Sequence, residues 1–316
     1  MLRSILRFSL VVATISVLIV GVYIDWSVIA RTETLPAVDL SHRESLPAVA
    51  PHEVVPLRVA VAAVISPQGT AESHKPLLDY LSRKLHRPVE LIQRRTYAEI
   101  NDLIEQGQVD LAFVCTSAYV IGQRDFGMSL LAAPQVSGET VYHSWLIVPA
   151  DSPAQTMADL RGKTFAFTDP WSNTGRMYPT ALVKALGETP DTFFKRTFFT
   201  YSHDDAIRAV ASGVADGAAV DNLVYRFAVA REPSLAEQTR IIHRSPPFGI
   251  PPVVTSPRLR PQVQAELQAI LLEMADDPDG RPALQALDID RFVLVDDEMY
   301  NSVRELEAQV GPLELK

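Results

Sequence analysis

Cysteine occurs once in the 316 residues, at Cys115. A single thiol excludes an internal disulfide and a cysteine-based zinc site, and no cysteine follows the first apolar stretch to carry a lipid anchor. Positive charge is also short: 29 Lys and Arg stand against 38 Asp and Glu, for a formal net charge of -9. That balance leaves no basic face from which phosphate backbones would displace counterions, which argues against nucleic-acid binding. Any anion must then be met by local donors. Cys115 closes the apolar run Leu111 to Val114 with no histidine beside it, so it reads as a structural thiol at the end of a buried strand. The run Asp276, Asp277, Asp279 and Gly280 lacks the spacing and terminal glutamate of a calcium loop and reads as a turn that ends a helix.

What is present is an ordinary globular composition, 47% hydrophobic and 21% charged, in a chain long enough for two lobes of roughly 100 to 150 residues each. Arg3 and Arg7 precede an uncharged apolar run from Phe8 to Ile24. Its length suits entry into a membrane, and the positive-inside rule places everything after Asp25 on the far side. Val28, Ile29 and Ala30 resemble a permissive cleavage site, so residues 1–30 are either a signal segment or a retained anchor in the inner membrane. Residues 31–55 carry Pro36, Pro47 and Pro51 without apolar periodicity and read as an extended tether.

From Leu57 the pattern alternates. Leu57 to Val64 is a strand buried on both faces, with a loop expected at Ser66 to Gly69; Leu77, Leu78, Leu81 and Leu85 mark a helix face, and Val89 to Ile92 a strand. Ile100, Leu103 and Ile104 form the next helix face, Gly107 stops it, and Val109 to Val114 is a strand. The same unit recurs about a hundred residues on, with Ala206, Ile207, Ala209 and Val210, then Gly213, then Ala215 to Val220. Gly107 to Asp110 and Gly213 to Asp216 share a Gly-x-x-Asp pattern, which suggests two lobes built alike with parallel-dominated sheets. Tyr142 to Ala150 is long and apolar enough to cross between them. The tail, with a helix near Gln262 to Met274, a strand Phe292 to Val295 and a helix Glu298 to Val310, would return to the first lobe. The expected division is 56–142 with 246–316 as lobe 1, and 143–245 as lobe 2.

The segment Thr164 to Pro179, TFAFTDPWSNTGRMYP, is a strand, a polar turn and then a helix. Such a turn presents backbone N–H groups, hydroxyls and the positive end of the helix dipole together, an anion cradle that needs no net positive charge. Ser172 or Thr174 as a plain helix cap fits the local pattern equally well. Neither Walker glycine spacing nor a following lysine is present, which disfavours a nucleotide loop.

Three segments, LRVAVAAVISP, DLRGKTFAFTDPWSNTG and SHDDAIRAVASGVADGAAVD, together resemble the PhnD-like phosphate/phosphonate substrate-binding proteins of ABC transporters, over about Leu57 to Leu306. The resemblance implies a two-lobed type II periplasmic-binding-protein fold with two hinge crossovers, no cofactor, no metal and no catalysis. By position it assigns ligand contacts to Tyr97, Tyr142, Ser172, Asn173, Thr174, His203 and Asp221. Each has a plainer alternative. His203 can serve as a surface helix cap, Tyr97 and Tyr142 as packing residues, and Asp221 as the cap of the next helix. Arg94 and Arg95 read as a solvated pair. Asn173 stands where the family usually has a small hydroxyl residue, and SPPFGIPP, 245–252, lacks the carboxylate that aminoalkylphosphonate binders carry nearby, which argues against an amine-bearing ligand.

The expected function is extracytoplasmic capture of a small oxyanion (phosphonate, phosphite or phosphate) in the cleft between the lobes for an ABC permease. The alternatives are a membrane-anchored sensor that signals occupancy to a separate membrane partner, and a hydrolase using Ser172, His203 and Asp221.

Overall fold

The computed structural model describes residues 55–311. The membrane or signal segment expected over 1–30 and nearly all of the tether expected over 31–55 lie outside the described residues. Among the described residues no helix is long and apolar enough to cross a membrane.

The strands in chain order are β1 (Leu57–Val61), β2 (Val89–Ile92), β3 (Leu111–Phe113), β4 (Ser129–Gln135), β5 (Val141–Tyr142), β6 (Ser144–Pro149), β7 (Thr164–Phe167), β8 (Arg196–Phe199), β9 (Gly217–Asp221), β10 (Thr239–Arg244), β11 (Phe248–Gly249), β12 (Val253–Thr255) and β13 (Arg291–Val293). A six-stranded sheet has the order β13-β4-β12-β3-β1-β2, and a five-stranded sheet the order β10-β6-β9-β7-β8. The chain leaves the first sheet through β5 and returns through β11, which pair antiparallel with Phe248 opposite Tyr142. Two crossovers therefore join two α/β lobes.

The expectation of parallel-dominated sheets needs correction. Parallel pairing is confined to β2-β1-β3 and β8-β7-β9, while β12, β4, β13, β6 and β10 pair antiparallel. Three strands are reversed: β12 and β6, which bring the chain into each lobe, and β13; β4 and β10 run with the parallel core but pair only with reversed neighbours. The long strand expected over Tyr142 to Ala150 is likewise broken at His143. There the backbone N–H turns to donate to Asn222 Oδ1 at 2.6 Å, and ring Nδ1 lies 2.8 Å from the Ser245 carbonyl.

The two Gly-x-x-Asp motifs do the same work in both lobes. Gly107 and Gly213 adopt left-handed φ of 70° and 72°, a conformation that costs glycine little. Asp110 then accepts the Arg58 N–H at 2.9 Å, and Asp216 accepts the Thr164 N–H at 2.7 Å. Each aspartate thus ties the entry of a central strand to the first residues of its parallel neighbour. The helices follow from their caps. Thr96 and Glu99 form a reciprocal capping box that starts Tyr97–Glu105. Ser202 accepts the Asp205 N–H to start His203–Ala211. The helix Pro67–Leu85 begins where a loop was expected, since proline at the first helical position lacks only an N–H that would be unpaired anyway. Apolar clusters pack on the sheets, and one of them joins the lobes, with Met177 buried beside Ala62 and Tyr97.

Candidate functional site

The turn after β7 forms the floor of the site. Thr168, Asp169, Ser172, Asn173 and Thr174 are all essentially inaccessible. The Ser172 hydroxyl accepts the Gly175 N–H at 3.0 Å, and its carbonyl accepts from Arg176 and Met177, at 3.1 and 2.9 Å. The chain therefore opens with a wide turn over Asn173–Met177 before the helix Tyr178–Ala185. Gly175 is required here, because a Cβ at that position would collide with the Thr168 side chain.

Residues from both lobes meet over this turn. Asn173 Nδ2 donates to the Tyr142 hydroxyl at 3.0 Å, and that hydroxyl lies 2.6 Å from Thr116 Oγ1. Asn173, in place of the usual small hydroxyl, thus reaches across to the crossover and to the other lobe. The Tyr97 N–H donates to Asp169 Oδ2 at 3.0 Å, and Ser117 Oγ donates to the Trp171 carbonyl. The Ser66 N–H donates to Asp204 Oδ1 at 2.8 Å, and the His203 N–H to the Val64 carbonyl at 2.9 Å. The lobes are closed on each other.

His203 is buried, not a surface cap. Its Nδ1 accepts the Asp221 N–H at 3.0 Å, which assigns the proton to Nε2, and Nε2 points toward Ser172 Oγ at 3.5 Å. Burial pushes its pKa down to about 3, so the ring is neutral and acts as a donor through Nε2. Asp221 caps the next helix. Oδ1 accepts the N–H groups of Leu223 and Val224 at 2.7 and 3.3 Å, and burial raises the carboxyl to about 7. Tyr97 and Tyr142 are held well above the ordinary phenol pKa, first by burial and then by neighbours that include Asp221. Both remain protonated. The Tyr97 hydroxyl, Thr174 Oγ1 and Asn173 Oδ1 are buried without hydrogen-bond partners.

All seven expected residues are therefore brought together, and the hydrolase alternative loses its geometry. A general-base histidine must carry its proton on Nδ1 toward the acid and keep Nε2 free to take one from serine. Here Nδ1 accepts from a backbone amide, so Nε2 holds the proton, while the Asp221 carboxylate is engaged by a helix start. Among the described residues no group of His, Cys, Asp and Glu is arranged to hold a metal ion.

Four residues of the cluster escaped sequence reasoning. Thr116 and Ser117 open the helix Thr116–Phe126 directly after β3, the same strand-to-hydroxyl-to-helix pattern that singled out Ser172, and that pattern was the available signal. Cys115 lies in the cage with its thiol raised by burial and opposed by the Asn173 amide. Asp169, raised by burial to about 6, accepts from both Tyr97 and Trp171, and no local pattern marks it. Arg95 is exposed as expected, yet stacks 3.9 Å from the Tyr201 ring centroid across the lobes.

Comparison with known proteins agrees with this architecture. The chain is 27% identical over 237 residues to the phosphate-import protein PhnD of Mycolicibacterium smegmatis, covering 71% of this chain and 74% of that one. Its fold is similar to a binding protein component of an ABC phosphonate transporter from Pseudomonas aeruginosa, with a TM-score of 0.76 and 23% identity over 80% of this chain and 86% of the other. It is also similar to PhnD1 of Prochlorococcus marinus in complex with methylphosphonate, with a TM-score of 0.73 and 18% identity over 80% and 97%. The model of a family described as the phosphonate periplasmic substrate-binding protein of ABC transporters matches residues 59–300. The chain belongs to that family: it is a phosphonate-type periplasmic substrate-binding protein of an ABC transporter, a transport component and not an enzyme.

Proposed function

We propose that the cage of Tyr97, Tyr142, Ser172, Asn173, Thr174, His203 and Asp221 holds the oxygens of a small phosphorus oxyanion between lobe 1 (56–142 with 246–316) and lobe 2 (143–245). The carrying observation is that the Tyr97 hydroxyl and Thr174 Oγ1 are buried without partners beside a helix start and a histidine whose Nε2 carries a proton. A buried unpaired polar group costs about 1–3 kcal/mol, a cost that an anion with several acceptor oxygens removes. Asp221, protonated near neutral pH, can donate to such an anion or accept a proton from it, which favours a hydrogen-bearing oxyanion. Oxygens held from both lobes shift the population toward the closed form that docks on the permease.

Calorimetry with phosphate, phosphite, methylphosphonate and sulfate tests this reading. The expected result is binding of at least one phosphorus oxyanion with micromolar or better affinity, weakened in a Thr174→Val variant. Absence of heat with all four refutes it.

The uncharged run Phe8 to Ile24 behind Arg3 and Arg7 supports the finer reading that the protein stays tethered to the inner membrane. Mass spectrometry of the purified native protein should then find an uncleaved N-terminus. A mature chain starting at Arg31 would replace the tether with a signal segment.

A further inference from the structure

Asp221 faces two ways. On one side are the Tyr97 and Tyr142 hydroxyls, whose ionisation its carboxylate disfavours. On the other side it lines a cleft of about 230 Å³ that runs between the lobes. None of the other six cage residues lines this cleft, so Asp221 is the point of contact between cage and cleft.

The cleft wall is mostly carbon, with Ser73 and Ser137 as its uncharged polar side chains. Val61, Ala62 and Val64 extend it from the end of β1, Phe113 and Val114 from the end of β3, and Leu223, Val224 and Phe227 from the helix Asn222–Arg231. The returning crossover adds Ile250, Pro251 and Pro252. His74 also faces it, but burial lowers that imidazole to about 4 and its Nδ1 lies 3.1 Å from the Thr70 carbonyl, so it brings no charge at neutral pH. Arg226 and Asp288 are exposed and sit at the rim. Nothing within the wall matches an ammonium group except Asp221, whose Oδ1 is already engaged by two amides. Nothing there matches a second anion either.

We propose that this cleft receives the organic substituent of the bound oxyanion, and that the ligand class is an uncharged alkyl- or arylphosphonate rather than an inorganic ion or an aminoalkylphosphonate. This rests on the oxyanion reading of the cage and adds to it the chemistry of the part of the ligand beyond the phosphorus. The apolar wall is drawn from both lobes, so a substituent seated there strengthens closure as well as affinity. Removing one methylene from water contributes about 0.8 kcal/mol, which is about threefold to fourfold in affinity per carbon.

The test is a calorimetric series on the full-length protein with phosphite, methylphosphonate, butylphosphonate, phenylphosphonate and 2-aminoethylphosphonate. Butyl- and phenylphosphonate are expected to bind at least about tenfold more tightly than methylphosphonate, and the aminoethyl compound more weakly than methylphosphonate. Ile65 lines the same wall, and in Phe227→Trp and Ile65→Trp, two independent ways of narrowing the cleft, the ratio of butyl to methyl affinity should fall at least about fivefold. A butyl affinity no better than methyl, a preference for the amine, or a ratio unmoved in both folded variants overturns the assignment while leaving the oxyanion cage intact. Loss of all binding, methylphosphonate included, removes the cage reading and this one together.

Discussion

At the scale of single residues, protonation in the site is set by burial more than by neighbouring charge. His203 is held neutral and Asp221 and Asp169 are held near neutrality for the same reason, that a charged form in a closed interior loses its hydration. The consequences for stability have opposite signs. A carboxyl raised to about 7 when folded favours the native state most below the unfolded carboxyl pKa of about 4, and that contribution is lost as pH rises from there through 7. His203, lowered to about 3, contributes fully above the unfolded imidazole pKa of about 6.5 and loses it as pH falls toward 3. Asp221→Asn keeps an oxygen for capping Leu223 and Val224 but cannot ionise. The ligand-free variant should therefore be more stable than the native protein at pH 8, with the difference gone at pH 4, as measured by urea denaturation across pH. For binding, His203→Ala removes the N–H that the proposed cage offers to the anion; a hydrogen bond to a charged group contributes about 1.5–3 kcal/mol, so the Kd for methylphosphonate should rise roughly tenfold to a hundredfold.

At the scale of elements, the site is a property of strand ends and helix starts. Two strands, β3 and β7, each run into hydroxyl residues that open a helix, and the two starts face each other with Tyr142 and Asn173 between them. Gly175 lets the second start lie against the end of β7. In Gly175→Ala the turn must move away from Thr168. We expect a loss of about 1–3 kcal/mol in unfolding free energy and at least a tenfold loss of phosphonate affinity. Ser202→Ala removes the cap beneath His203 and should cost about 1 kcal/mol, with a smaller loss of affinity because the Asp221 amide still orients the ring. Comparing the two variants by denaturation and calorimetry separates a turn that shapes the cage from a cap that only supports it.

At the scale of the whole molecule, the proposed capture requires two lobes to close around two crossovers. The Arg95 guanidinium stacked on Tyr201 spans the gap outside the cage, and Tyr201 holds a left-handed φ of 61° while it does so. A cation–π contact at an exposed site contributes about 0.5–1 kcal/mol, so Arg95→Ala should weaken methylphosphonate about twofold to fivefold by calorimetry. It should also raise the ligand-free radius of gyration in X-ray scattering while the liganded value stays that of the native protein. An unchanged ligand-free radius would show that the stack takes no part in closure.

The sequence by itself determined the alternation of strands and helices, the repeated Gly-x-x-Asp unit and the hydroxyl-rich turn at Ser172 to Thr174 that opens a helix. These are local matters: periodicity, a glycine that can turn left-handed, and hydroxyls at a helix start are readable wherever they occur, and the family resemblance supplied Tyr97, Tyr142, His203 and Asp221. Only the tertiary structure decided that Thr116, Ser117, Cys115 and Asp169 join the cage, that His203 carries its proton on Nε2, and that β6, β12 and β13 run against the parallel core. Asp169 meets the Tyr97 amide across 72 positions of chain, and Asp221 meets His203 across 18. No local pattern encodes such meetings: the first arises only where the two lobes face each other across the paired crossovers at Tyr142 and Phe248, and the second only where a helix packs on the end of a strand of its own sheet.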